Sequence, residues 1–113
     1  MNQELRIKNK ECKLLIDTSD NKKVVVGLEM NGKRKELIQK TESWTSQVLL
    51  PIIEEILKLN HLTPKDLTGI RVHTGPGSYT GLRVGVAVAN TVGWLLGIAV
   101  NGKKDGLAEP VYG

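Results

Sequence analysis

Residues 70–100 read IRVHTGPGSYTGLRVGVAVANTVGWLLGIAV, and the division of this stretch decides the fold. The β-branched run from Ile70 to Thr74 predicts a strand. Gly75-Pro76-Gly77-Ser78 interrupts it with loop-forming residues. From about Tyr79 to Leu96 the pattern is helical, with Gly97 as the C-terminal stop, and Ile98-Ala99-Val100 predicts a last short strand. Strand, helix and strand in succession belong to an α/β protein. No residue from Val84 to Gly102 is charged, which approaches the length of a membrane span of about 20 residues. Asn90, Thr91, Gly85, Gly93 and Gly97 interrupt it, and a helix buried inside a globular domain accounts for it better.

Towards the N-terminus, Leu14-Leu15-Ile16 predicts a strand running into the polar turn Asp17-Thr18-Ser19-Asp20-Asn21. Val24 to Met30 predicts a second strand, Asn31-Gly32 a type I′ hairpin turn, and Lys33 to Lys40 a third, basic strand. Leu5 to Lys8 is an extra edge segment within residues 1–10. Ser43, Trp44, Thr45 and Ser46 form a cluster of helix N-caps. Val48, Leu49, Ile52, Ile53, Ile56 and Leu57 then recur at helical spacing, opposite Glu54, Glu55 and Lys58. Pro51 lies inside this helix, removes a backbone hydrogen bond and bends the axis. Thr63-Pro64 opens a further helical turn. The order βββαβαβ predicts a mixed sheet with helices on one or both faces.

The chain has 113 residues, of which 40% are hydrophobic and 25% charged. That excludes a disordered chain. Division into two domains would leave each half too small for a core, so residues 1–113 are expected to form a single lobe with an irregular tail at 103–113. There is no Phe, so the core is aliphatic. The single Cys12 excludes a disulfide framework and reads as a buried thiol. The start MNQELRIKNKE is too polar for a signal peptide. Of the net charge of +4, the whole excess lies in residues 1–40, which hold ten Lys and Arg against six Asp and Glu. That excess suits either an ordinary solvated sheet face or attraction of RNA or an acidic partner. No aromatic residue precedes Trp44, so a stacking platform for single strands is absent there.

Two loops carry possible chemistry. His73 to Gly81 joins strand to helix, where backbone N–H groups meet anions. It is not a P-loop, and its third glycine comes one residue late for a dinucleotide fingerprint. A tight turn needing glycine dihedrals is the plainer reading. Asp17-Thr18-Ser19 suits either a phosphate or hydrated-metal contact or a local turn. Asp17, Thr18, Ser19, Gly75, Gly77 and Ser78 are the candidate phosphate or nucleotide residues. His61 and His73 lie on different elements without carboxylates at ligand spacing, so no metal site is expected. In the second helix, Gly81, Gly85, Ala89, Gly93 and Gly97 recur every four residues. Glycine inside a helix costs about 0.5–1 kcal/mol relative to Ala, so such a stripe marks close packing against a sheet, another helix or both.

Leu15-Ile16-Asp17-Thr18-Ser19, Ser46-Gln47-Val48-Leu49-Leu50-Pro51 and the block Gly75 to Gly85 follow in this order. From about Lys13 to Val100 the chain resembles the N-terminal lobe of the TsaB (YeaZ) family, which acts in tRNA threonylcarbamoyladenosine biosynthesis. The resemblance implies a single actin/Hsp70-like (ribonuclease H-like) ATPase lobe, whose βββαβαβ order agrees with the one read above. It also implies a cytoplasmic, non-catalytic subunit that pairs, helix against helix, with a TsaD-like catalytic subunit. A TsaE-like ATPase and, indirectly, tRNA are the further partners. The metal-binding His-x-x-x-His of the catalytic relatives has no counterpart at Thr41 to Thr45.

Family members have a second lobe of similar size, and an actin-like nucleotide site lies between the two. No cofactor is therefore expected beyond a weak or shared ATP or ADP contact in a complex. The helix-pairing candidates are Val48, Ile52, Ile56, Gly81, Gly85, Ala89, Gly93 and Trp94, with a homodimer when the protein is pure. The alternative is a minimal actin-like nucleotide-binding protein that dimerises to complete its cleft.

Overall fold

A computed structural model describes residues 11–41, 46–103 and 108. The expected edge segment at 1–10, the caps at 43–45 and most of the 103–113 tail lie outside the described residues. Five strands form one sheet: β1 Cys12–Asp17, β2 Lys23–Met30, β3 Lys33–Lys40, β4 Gly69–Val72 and β5 Ala99–Val100. The helices are α1 Ser46–Leu59 and α2 Tyr79–Leu96, with a 3₁₀ turn at Pro64–Asp66. The order across the sheet is β3-β2-β1-β4-β5. β1, β2 and β3 pair antiparallel, whereas β1, β4 and β5 are parallel. The sheet is therefore mixed, as the sequence predicts. Among the described residues, no helix is long and apolar enough to cross a membrane.

Strand alternation decides where the core lies. Leu14 stands between Leu28 and Ile70, and Ile16 between Val26 and Val72, so these six side chains share one face. All six are buried together with Leu49, Ile52 and Ile56 of α1 and Val86 and Ala89 of α2. Both helices therefore cover that face, and Cys12 is buried at its margin. The opposite face carries Lys13, Leu15, Asp17, Val25, Glu29, Arg34, Glu36, Ile38 and Arg71 in register. Ile38 there is 61% exposed.

The two helices end alike. In α2, Gly97 adopts φ +68, with bonds from its N–H to Trp94 O and from Ile98 N–H to Gly93 O. In α1, His61 takes the same place at φ +58, with His61 N–H bonding Lys58 O and Leu62 N–H bonding Leu57 O. Both are Schellman caps. The expected strand at 98–100 begins one residue late because the Ile98 N–H belongs to this cap. The expected strand at 70–74 spans 69–72 instead; His73 N–H still bonds Ile16 O at 2.9 Å, and the loop begins beyond it. Pro51 stands inside α1 without ending it.

A second Asn-Gly turn, absent from the sequence reading, follows β5. Asn101 and Gly102 have φ +52 and +81, and Val100 and Lys103 bond each other across them. The Asn101 side chain also exchanges two hydrogen bonds with the Val72 backbone, at 2.8 and 3.0 Å.

Candidate functional site

The C-terminal ends of the parallel strands β1 and β4 lie side by side, the place where open α/β sheets bind ligands. The two loops singled out in the sequence meet there. Ser78 N–H donates to Ser19 O at 2.7 Å. A Cβ on Gly77 would lie 2.8 Å from that same carbonyl, so glycine is needed for the approach. Gly75 adopts φ +133, a conformation open to glycine, and precedes a cis peptide to Pro76.

Much of the polar capacity of this site is already satisfied internally. Asp17 Oδ1 accepts from Ser19 N–H at 3.0 Å and from Ser19 Oγ at 2.6 Å. The Ser78 hydroxyl accepts from Gly81 N–H at 3.2 Å and caps α2. Thr18 is fully buried, and its hydroxyl donates to Gly81 O at 2.6 Å. Thr18 thus anchors α2 and does not face a ligand, contrary to the sequence expectation. Asp17, Ser19, Gly75, Gly77 and Ser78 do come together, mainly as mutual supports of two tight loops. Beside them on the uncovered sheet face is a shallow cleft of about 350 Å³, lined in part by Asp17, Arg34, Arg71 and His73. Among the described residues, no group of three or more His, Cys, Asp or Glu is placed to hold a metal ion.

The helix candidates divide into an inner and an outer set. Ile52, Ile56, Gly81, Gly85, Ala89 and Gly93 are buried within the lobe, and Val48 is half-buried. A Cβ on Gly85 would clash with Thr18 Oγ1, and one on Gly93 with Val100 and with Ile98 O. The four-residue stripe therefore seats α2 on this chain's own structure. Its drift around the axis follows the helix across the sheet, from Thr18 after β1 to Val100 in β5. The expectation that these residues present a surface to another chain is corrected accordingly.

Of the eight candidates only Trp94 is freely exposed, at 79%. The outer surface instead shows Leu50 at 46%, Leu59 at 60% and Leu95 at 67% exposure. Between the helices runs a largely apolar groove of about 570 Å³, lined by Leu50, Pro51, Leu57, Leu62, Val92 and Leu95 among others. The sequence signal for this surface is the apolar residues on more than one side of α1.

Residues 39–102, more than half of the chain, match the family model described as TsaD, tRNA N6-adenosine threonylcarbamoyltransferase. Among solved structures, the chain is similar to YeaZ from Pseudomonas aeruginosa, with TM-score 0.73 and 24% identity, covering 80% of this chain and 42% of that one. It is also similar to a structure described as an uncharacterized protein with similarity to peptidase YeaZ from Pseudomonas aeruginosa. There the TM-score is 0.74 at 24% identity, with 80% of this chain and 41% of that chain covered. The chain thus spans about two fifths of the length of these structures. No curated protein sequence matches it. The shared architecture is that of an actin-like lobe.

Proposed function

The chain belongs to the TsaD family, tRNA N6-adenosine threonylcarbamoyltransferase, and on that premise we propose that it serves tRNA threonylcarbamoylation as a non-catalytic partner subunit, docking through its helix layer onto a TsaD-like catalytic subunit. The observation that carries this reading is the outer helix surface. Leu50 and Leu95 stand exposed on the two sides of one apolar groove between the helices, and exposed apolar surface of this kind marks an interface. Each helix rests its other side on the sheet, and the outer side, which no described residue covers, is the surface offered to the catalytic subunit. In the absence of the catalytic subunit, a second copy of the chain takes the same place and gives a homodimer.

The loops at the ends of β1 and β4 fit a supporting role. Ser19 and Ser78 hold Asp17 and α2, so a phosphate meets this edge from one side only. ATP or ADP is held weakly by the chain alone and more firmly only when another subunit closes over it. The test is co-expression with the TsaD-like subunit of the same organism, followed by affinity purification through a tag on one chain. A stable complex containing both is expected, and calorimetry on the isolated chain is expected to show no micromolar ATP site. Separate elution of the two chains overturns the docking reading. A micromolar ATP site in a confirmed dimer favours a self-completing nucleotide-binding protein instead.

A further inference from the structure

The hairpin formed by β2 and β3 presents a strongly basic surface. Residues 22–40 contain six cations, Lys22, Lys23, Lys33, Arg34, Lys35 and Lys40, against two carboxylates, Glu29 and Glu36. Arg34 lies between both carboxylates, at 4.0 and 3.9 Å. All five lysines are exposed, and among the described residues none has a carboxylate at ion-pair distance. β3 is an edge strand, so its lysines spread along about 25 Å at the usual rise of a strand. Lys33 and Lys35 point to one side of the ribbon and Lys40 to the other. Lys23 stands directly opposite Lys40 on the neighbouring strand. Like charges so placed destabilise a sheet, and a bound anion removes that repulsion.

We propose that this hairpin contacts the phosphate backbone of folded RNA. Lys33, Lys35 and Lys40 on the edge strand guard it against self-association, but Lys22 and Lys23 lie off that edge, and Lys23 is paired against Lys40, which edge protection does not require. The hairpin has no aromatic residue, so it offers no stacking for unpaired bases. It presents long ammonium side chains, suited to phosphates irrespective of sequence. The charge placement stands by itself, whereas the choice of RNA over an acidic protein rests on the tRNA-modification reading above.

The experiment is fluorescence anisotropy of a labelled tRNA transcript with the purified chain across a salt series, and of a polyglutamate peptide of matched charge. With about 0.7–0.9 counterions released per contact, five lysines give a log–log salt slope of about −3.5 to −4.5. Lys23→Gln with Lys40→Gln should lower tRNA affinity on the order of tenfold and reduce the slope by nearly 2, while melting rises slightly as their repulsion is removed. Lys33→Gln with Lys35→Gln should act alike on binding. The account is overturned by tRNA affinity that these substitutions leave unchanged, including the case where the variants merely associate edge to edge. Polyglutamate bound as tightly as tRNA also overturns it, in favour of an acidic protein. Glu substitutions at Leu50 and Leu95 leave tRNA affinity intact, so loss of the docking reading and loss of this one are separable.

Discussion

The inner and outer sides of the helix layer use opposite side chains for close contact. Inside, Gly81, Gly85, Ala89 and Gly93 bring α2 down onto the sheet, and a single added Cβ at Gly85 or Gly93 meets a buried neighbour. Outside, Leu50 and Leu95 line an apolar groove that no described residue covers, and Leu59 and Trp94 stand exposed elsewhere on the helices. Small residues report that something approaches closely, without saying what. Large apolar residues left exposed among the described residues mark a surface open to a further contact.

The sharpest way to break this distinction is to fill the inner side. Gly85→Leu forces a side chain into Thr18 and displaces the Thr18–Gly81 hydrogen bond. The expected loss is about 3 kcal/mol or more, from overpacking and a stranded buried hydroxyl. Chemical denaturation checks it. A variant that melts like the parent while losing partner binding would place the stripe on an interface after all.

A smaller effect is expected where the two loops touch. Gly77→Val brings a Cβ to 2.8 Å from Ser19 O and should destabilise by about 1–3 kcal/mol. An unchanged thermal midpoint would show that the loops separate freely, and that their contact does not hold the edge.

The smallest effect, of opposite sign, concerns the helix ends. Gly97 and His61 fill equivalent cap positions at positive φ, but only one is glycine. His61→Gly relieves a left-handed conformation at the expense of greater freedom in the unfolded chain, a net gain of about 0.5–1 kcal/mol. Gly97→Ala should lose about as much. Equal midpoints for both variants and the parent would mean that the left-handed conformation costs nothing at either cap.

Local chemistry made much of the fold readable. Asn31-Gly32 predicts a hairpin because both residues tolerate positive φ, and they adopt +52 and +80. The end of α2 follows from Gly97 for the same reason, whereas its start is capped by the Ser78 side chain. Asn101-Gly102 is the same dipeptide with the same geometry, so that turn was legible too, but the short strand before it gave little context. Less was legible at the site. A four-residue repeat states the spacing of small residues but not the identity of the opposing surface, which depends on where β1 and β5 lie. Thr18 likewise belongs to a polar run that suits a ligand, yet its burial comes from α2, more than sixty residues away along the chain. His61 offered no cap signal because glycine or asparagine normally fills that place.

On the proposed reading, the outer helix surface, and not the inner stripe, docks the partner. Titration of the TsaD-like subunit with a chain carrying Leu50→Glu and Leu95→Glu tests it most directly. Both positions are exposed, so stability should change by no more than about 0.5 kcal/mol, while affinity for the partner falls at least a hundredfold. Full affinity in a variant that folds like the parent would contradict the claim.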